Sequence, residues 1–419
     1  MRTLILTIFS FKKKETIEFE REEFHRLAAS LSALKVVTSH HIKVSRYNSG
    51  YLISSGSLDK ITQIIKSLNL TLVLVNVNLS PVQQRNLEKF WNTKVLDRTG
   101  LVLEIFGSRA LTKEGTLQVE LAHLLHQKSR LVRSWTHLER QRGGKGFLGG
   151  PGETQIESDR RAINTRISAI KKSTEKISKT RQVQRNSRYR NNAFLASFVG
   201  YTNAGKSTLF NSFPNKKTKE EDRLFSTLDP FLKGCRAGNS NYVISDTVGF
   251  IQNLPTTLIT AFKSTLEEIK YSQLIVHVID ASDEYAFYKS KVVYEVLETI
   301  DSSIDIKTKV VEVHNKIDLI ENSSSVPFNS LIPKSNVFQV SAKDNLGIRE
   351  LKSGIEGLLF SEVIDEKIHL SPNEVEKLDW LYSRQLVVSA NPVGNKIEIK
   401  LSWNKFQKKQ FKKSFLVSA

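Results

Sequence analysis

The sequence predicts an α/β protein whose centre, residues 191–361, is a doubly wound parallel sheet. A small α/β domain (1–111) and a long basic helical hairpin (112–190) precede it, and a small basic α+β domain (362–419) follows. Three observations predict this. Strand-length apolar runs alternate with helix-length segments in two stretches of the chain, as parallel strands joined by crossover helices require. The first run of the central region leads into Gly200-Tyr201-Thr202-Asn203-Ala204-Gly205-Lys206-Ser207, a phosphate-loop pattern between a strand and a helix. Two long helix-like stretches flank residues 143–152, where six glycines in ten positions exclude helix.

Taken in order, residues 4–11 and 43–53 read as strands. Residues 58–68 read as a helix, because Leu58, Ile61, Ile64, Ile65 and Leu68 recur at helical spacing. Residues 70–77 read as a buried strand, Ser80-Pro81 as the cap and first position of a helix, and 102–106 as a further strand. A helix over 112–141 follows, with Leu117, Leu121, Leu124, Leu125, Leu131 and Leu138 on its apolar face. A second helix covers 154–186, with a narrow stripe of Ile156, Ile163, Ile167, Ile170 and Ile177. The glycine-rich stretch between them reads as the exposed tip of an antiparallel hairpin, placed for contact, in preference to a plain linker. Residues 194–199, 242–245, 274–279, 310–313 and 337–340 are short apolar strands separated mostly by helices. In the C-terminal region Ile397, Ile399 and Leu401 alternate as a strand face. The Phe406, Phe411 and Phe415 that follow, interleaved with lysines, read as a helix face packed on the small domain.

Composition narrows the class. With 419 residues, 39% hydrophobic and 25% charged, the chain has the balance of a soluble multidomain protein. No apolar run reaches the ~18 residues of a membrane span. The first apolar run is short and meets Lys12, Lys13 and Lys14, unlike a secretory signal. A single cysteine, Cys235, excludes internal disulfides and thiolate zinc clusters and fits a reducing cytoplasm. The net charge of +19 is localised: residues 112–190 carry 18 Lys and Arg against 7 Asp and Glu, and residues 400–419 carry six lysines and no acid. Two confined basic segments point to a polyanionic partner, nucleic acid first.

Four motifs carry chemistry. Backbone N–H groups of Gly200–Ser207 can cradle phosphates at a helix N-terminus, with Lys206 reaching the β- and γ-phosphates and the Ser207 hydroxyl ligating Mg²⁺. Asp246-Thr247-Val248-Gly249 ends a strand some 40 residues on. Asp246 can hold Mg²⁺ through water, and Gly249 can offer its N–H to the γ-phosphate with no Cβ in the way. In Asn315-Lys316-Ile317-Asp318 the carboxylate can accept both N1–H and N2–H of guanine, a pair that adenine lacks, while the Lys316 stem lies along the base. The backbone of Ser341-Ala342-Lys343 can face guanine O6. Their order, each at the carboxyl end of a strand, makes this a guanine-nucleotide site.

The motifs resemble those of translation-factor-related GTPases, and the intervening Leu224-Phe225-Ser226-Thr227-Leu228-Asp229-Pro230 looks like switch I of the HflX-type ribosome-associated GTPases. Asp246 to Ile251 with Leu254-Pro255, Ala261-Phe262 and Thr265-Leu266-Glu267-Glu268 is similar to their switch II. Val95-Leu96-Asp97-Arg98-Thr99, Glu114-Gly115, Leu117 to Ala122, Gly150 to Gln155 and Asp159-Arg160-Arg161 resemble their N-terminal signature. The resemblance spans roughly residues 70–350. It implies a GTP/GDP-binding enzyme with Lys206, Thr227 and Gly249 in the catalytic centre and Mg²⁺ on Ser207, Thr227 and Asp246. Phe225, Ser226, Leu228 and Asp229 would line the nucleotide. It further implies a monomer in the cytoplasm, at most peripheral to membranes. Such a protein docks on the large (50S) ribosomal subunit through the 143–152 tip and splits stalled ribosomes. Phe250 stands where Ras-like enzymes carry the water-orienting glutamine, so slow intrinsic hydrolysis is expected, with the ribosome completing the site. A different class of reading keeps the RNA contact but makes GTP an occupancy signal for an assembly or silencing factor. A small-molecule kinase would need a substrate pocket and base that the sequence does not offer.

Overall fold

The computed structural model describes residues 1–10, 14–110, 112–133, 155–190, 194–213, 231–237, 240–252, 258, 263–302, 304, 306–320, 330, 332–360, 363–382, 386–404, 408, 411–412 and 415. They fall into two compact units, one over Met1–Ile177 and one that holds both later sheets. No helix among these residues is long and apolar enough to cross a membrane.

In the first unit β1 (Arg2–Phe9), β2 (Lys35–Lys43), β3 (Leu72–Val75) and β4 (Lys94–Asp97) form an all-parallel sheet in the order β2-β1-β3-β4. The crossovers carry α1 (Lys14–Ala29), α2 (Ser55–Ser67) and α3 (Pro81–Trp91). Leu58, Ile61 and Ile65 of α2 share a core with Leu4, Leu6 and Ile8 of β1, so the helix-spaced stripe is the buried face. α3 begins where Ser80-Pro81 dictates: Gln83 N donates to Ser80 Oγ (3.2 Å) and Ser80 N donates back to Gln83 Oε1 (2.9 Å).

Two expectations are corrected here. Residues 102–106, read as strand, lie inside α4 (Arg98–Arg109). Eight of its twelve residues are buried, so no polar face reveals the helical period. Residues 43–53, read as strand, are mostly turn. β2 ends at Lys43, and Asn48 Oδ1 accepts from Gly50 N (2.7 Å) and Tyr51 N (3.0 Å), closing a side-chain turn.

Asp97 organises this unit. Its Oδ1 caps α4 by accepting from Gly100 N (2.8 Å), while Oδ2 accepts from Leu79 N (3.1 Å) and from Arg130 (2.8 Å). Next to it the buried Arg98 pairs with Glu23 at 2.6 Å. Arg130 belongs to the last turn of α5 (Lys113–Arg133), so one carboxylate fastens the first helix of the hairpin to the sheet. α6 (Gln155–Arg190) supplies the second helix. Arg166 of α6 forks onto Glu120 of α5 at 2.6 and 2.9 Å. Nearby, Arg130 and Leu131 of α5 share a cavity of about 590 Å³ with Asp159 and Ile163 of α6. Contacts thus fall along α6 as they rise along α5, which makes the pair antiparallel, as expected. The tip at 143–152 lies outside the described residues.

In the second unit β5 (Phe194–Gly200), β6 (Phe231–Ala237), β7 (Ser240–Asp246), β8 (Leu274–Asp280), β9 (Val310–Asn315) and β10 (Val337–Gln339) form one sheet in the order β10-β9-β8-β5-β7-β6. α7 (Lys206–Ser212), α8 (Lys263–Tyr271), α9 (Ala286–Ile300) and α10 (Ile348–Phe360) accompany it. Phe198, Val276, Val278, Val311 and Val313 pack with Leu351 and Ile355 of α10 in its core. The expectation of a parallel sheet is corrected at one edge: β6 runs antiparallel to β7. Its mixed sequence, half exposed as an edge strand, carries no continuous apolar run to announce it.

In the C-terminal region β11 (Val363–Leu370), β12 (Val387–Val393) and β13 (Lys396–Asn404) form an antiparallel sheet in the order β11-β13-β12. Ile399, Leu401 and Trp403 face a core shared with α11 (Val375–Tyr382) and Phe411. The Phe411 ring lies 5.4 Å from that of Trp403 and 5.5 Å from that of Trp380, so this phenylalanine packs inward. Lys408 stays outside and pairs with Glu366.

Candidate functional site

The strand order places β5 between β7 and β8, so the loop that leaves β5 lies at the middle of the carboxyl edge, flanked by the turns that leave the other strands. Gly205 adopts φ +85°, and a Cβ there would meet Asn315 Nδ2 at 2.2 Å; only glycine fits. The chain then enters α7, and Lys206 folds back to donate to Tyr201 O at 2.9 Å. Tyr201 and Thr202 are themselves zipped to the turn after β7: Phe250 N donates to Gly200 O (3.0 Å) and Thr202 N to Phe250 O (2.9 Å). Gln252 N donates to the Tyr201 hydroxyl at 2.8 Å. Asn203 takes a left-handed conformation at the exposed crown of the loop.

Ser207 and Asp246, expected to serve one metal ion, are in direct contact: the Ser207 hydroxyl donates to Asp246 Oδ2 at 2.8 Å. A hydroxyl beside a buried carboxylate at the start of a phosphate-loop helix is a donor set that suits Mg²⁺. Gly249 sits over Lys206. A Cβ on it would lie 3.0 Å from Lys206 Nζ and 2.9 Å from Thr202 Cγ2, so a side chain would crowd the cation. Thr247 turns inward and donates to Phe198 O (2.7 Å), and Val248 is buried beside it. The Phe250 side chain is 1% exposed and packs in the interior.

Asn315 joins the two halves of the site. Its Nδ2 donates to Ala204 O (2.9 Å), and its Oδ1 accepts from Ala342 N (3.0 Å). Of the backbone expected to face guanine O6, the Ala342 N–H is therefore given to Asn315, and Lys343 N–H is the neighbouring donor. Ser341 Oγ accepts from Asp344 N (3.1 Å) and tightens this loop, while Ile317 N donates to Val340 O (3.3 Å). Asp318 Oδ1 is buried with no hydrogen-bond partner in the protein. A buried acceptor left open is costly unless a ligand satisfies it, and guanine offers two donors to such a carboxylate. Sequence reasoning missed Asp280, which accepts from Lys316 Nζ at 2.6 Å. Its signal was position: it ends β8, beside β9, at the same edge as the other site residues. Phe225, Ser226, Thr227, Leu228 and Asp229 lie outside the described residues, as do Leu254-Pro255 and Ala261-Phe262.

Burial lowers the Lys206 pKa to about 8, against the opposing pull of the Asp246 carboxylate. Phosphate binds the ammonium form. Affinity for GDP is therefore expected to be flat below pH 8 and to fall above it, approaching about tenfold per pH unit. Calorimetric titration between pH 7 and 9.5 reads this directly, and an affinity constant over that range would contradict it.

A sheet whose edge ties a phosphate loop to an Asn-Lys-x-Asp turn through one amide is the sheet of the phosphate-loop GTPases. Residues 196–316 match the family model described as 50S ribosome-binding GTPase. Residues 18–107 match GTP-binding GTPase N-terminal, and 109–188 match GTP-binding GTPase Middle Region. The GTPase HflX of Escherichia coli K12 is 39% identical over 387 residues, 92% of this chain and 89% of that protein. The GTPase HflX of Magnetococcus marinus is 43% identical over 327 residues, 78% of this chain and 74% of that one. A GTP-binding protein from Sulfolobus solfataricus, solved in complex with GDP, aligns over 86% of this chain and 99% of that chain at 23% identity and a TM-score of 0.42. The chain belongs to the HflX GTPase family.

Proposed function

We propose that the chain hydrolyses GTP at the carboxyl edge of the β5–β10 sheet and that it does so on the large ribosomal subunit, where it splits or rescues stalled ribosomes. The observation that carries the chemical half is the convergence of Lys206, Gly249, Ser207 and Asp246. Lys206 neutralises charge on the β- and γ-phosphates, and the Gly249 N–H holds the γ-phosphate. Asp318 reads the base, with Asn315 bracing the loops around it. Ser207 and Thr227, with Asp246 through water, would hold Mg²⁺, which supplies charge neutralisation on the phosphates when bound. The buried Phe250 offers no group to orient water, which supports a slow basal rate and completion of the site by the ribosome.

The basic hairpin, residues 112–190 with its 143–152 tip, is the proposed ribosomal RNA contact, and the chain acts as a cytoplasmic monomer. The test is GTP turnover with and without large subunits at two salt concentrations. Stimulation of at least about tenfold that fades as salt rises is expected, since each phosphate contact releases a counterion. Equal slow turnover in both cases would favour GTP as an occupancy signal, the reading that the Phe250 burial also permits. Removing 143–152 is expected to spare GTP binding and abolish the stimulation.

A further inference from the structure

We propose that Asp280 is a positioning residue for guanine recognition: it holds the Lys316 ammonium away from Asp318 and so keeps the base-reading carboxylate open. The proposal rests on the reading of Asn315–Asp318 as the guanine site and adds a residue and a mechanism to it.

The sheet puts the two side chains together. β8 and β9 are parallel neighbours with Asp280 in register with Asn315, and Ala281 N donates to Asn315 O at 2.9 Å. The residue after Asn315 is therefore delivered beside the last residue of β8. Lys316 leaves the strand in a left-handed conformation, φ +67°, unusual for lysine. Its Nζ donates to Asp280 Oδ2 at 2.6 Å. The other carboxylate oxygen is fixed as well: Oδ1 accepts from Ser282 N (3.1 Å) and Ser282 Oγ (2.6 Å). Both partners are largely shielded, with side chains 15% and 24% exposed, so the pair is screened less than a surface one.

Lys316 has a second carboxylate close by in the chain. Asp318 is two residues on, in the single 3-10 turn Ile317–Leu319, and its Oδ1 is buried without a protein partner. A buried, unsatisfied carboxylate oxygen attracts any cation within reach, and a four-carbon stem two residues away has that reach. An ammonium settled on Asp318 would occupy the acceptor that guanine N1–H and N2–H need, and would cancel the charge that strengthens those bonds. Asp280 removes the competitor. It offers Lys316 a partner that Ser282 holds in place, and leaves Asp318 open. The stretched Lys316 stem is then available as one wall of the base pocket.

The probes are GDP and inosine diphosphate, which lacks the 2-amino group, titrated by calorimetry into the full-length protein and three variants: Asp280→Asn, Lys316→Met and the double variant. In the unsubstituted protein GDP is expected to bind at least about tenfold more tightly than the inosine nucleotide. Asp280→Asn is expected to weaken GDP about tenfold while shrinking the GDP preference towards one, because freed Lys316 covers Asp318. In the double variant the preference is expected to return to that of Lys316→Met alone. A merely structural role for Asp280 predicts otherwise: both nucleotides weakened equally, or losses that add in the double variant, and either result overturns the proposal. If Asp280→Asn alone does not fold, the comparison of Lys316→Met with the double variant decides, since Asp280→Asn should change nothing once the ammonium is gone. A starting protein with no preference for GDP over inosine or adenosine diphosphate would instead sink the guanine reading itself.

Discussion

Replacing Lys206 with alanine is expected to weaken GTP and GDP by at least about 100-fold. The ammonium lies under Gly249 and the residue is 7% exposed, so a phosphate bound there would meet it out of competition with water. The structure also makes this a clean experiment. Burial depresses the Lys206 pKa, which means that folding disfavours its charged form; at neutral pH the side chain detracts from stability. Its removal leaves the Tyr201 carbonyl without that donor but relieves a buried charge, so the melting temperature is not expected to drop by more than a few degrees. Binding of a fluorescent GDP analogue, followed beside thermal unfolding, separates the two effects. Unchanged affinity would show that the loop over Gly200–Ser207 does not hold phosphate.

The second large effect is expected at Asp318. Asp318→Asn replaces an acceptor-only carboxylate with an amide that both donates and accepts. Guanine presents two donors and would meet one donor in return, while xanthine presents a carbonyl where guanine has its 2-amino group. Affinity for GTP is expected to fall about 100-fold or more and affinity for xanthosine triphosphate to rise, inverting the preference. Competition between the two triphosphates for a labelled nucleotide measures it. Retained GTP preference in a folded Asp318→Asn variant would mean that the base is read by another group. Because Lys206 and Asp318 act on opposite ends of the nucleotide, the two substitutions give distinct signatures: one lowers every nucleotide, the other exchanges one for another.

The four motifs could be picked out as candidates because each is a run of contiguous residues in a fixed spacing. A strand, a glycine and a lysine in a fixed spacing suffice to place Lys206 and Ser207, and the structure brings Asp246 to 2.8 Å of Ser207 from 39 positions away. Other features depended on surroundings that one segment of sequence does not contain. α4 looks like a strand because it is buried nearly all round. β6 looks like nothing in particular because an edge strand needs no continuous apolar run. Asp280 and the zipped pair of Tyr201 and Phe250 are tertiary facts, created when neighbouring strands bring distant residues together. The same holds for Asp97: its place in a recognisable string was visible, but its three hydrogen-bonding partners come from Leu79, Gly100 and Arg130 and appear only in the folded chain.

Asn315 has a consequence for how this site can change over time. One amide holds Ala204 on the phosphate side and Ala342 on the base side. The two loops are therefore inherited as a joined pair. A substitution that loosens the grip on phosphate also disturbs the frame in which guanine is chosen. Drift at Asp318, whose Oδ1 has no partner in the protein, is the route by which the choice of base could change while that frame stays intact. The frame around Asp318 is in this sense protected by the architecture of its neighbour, and a lineage that keeps the phosphate loop keeps that frame along with it.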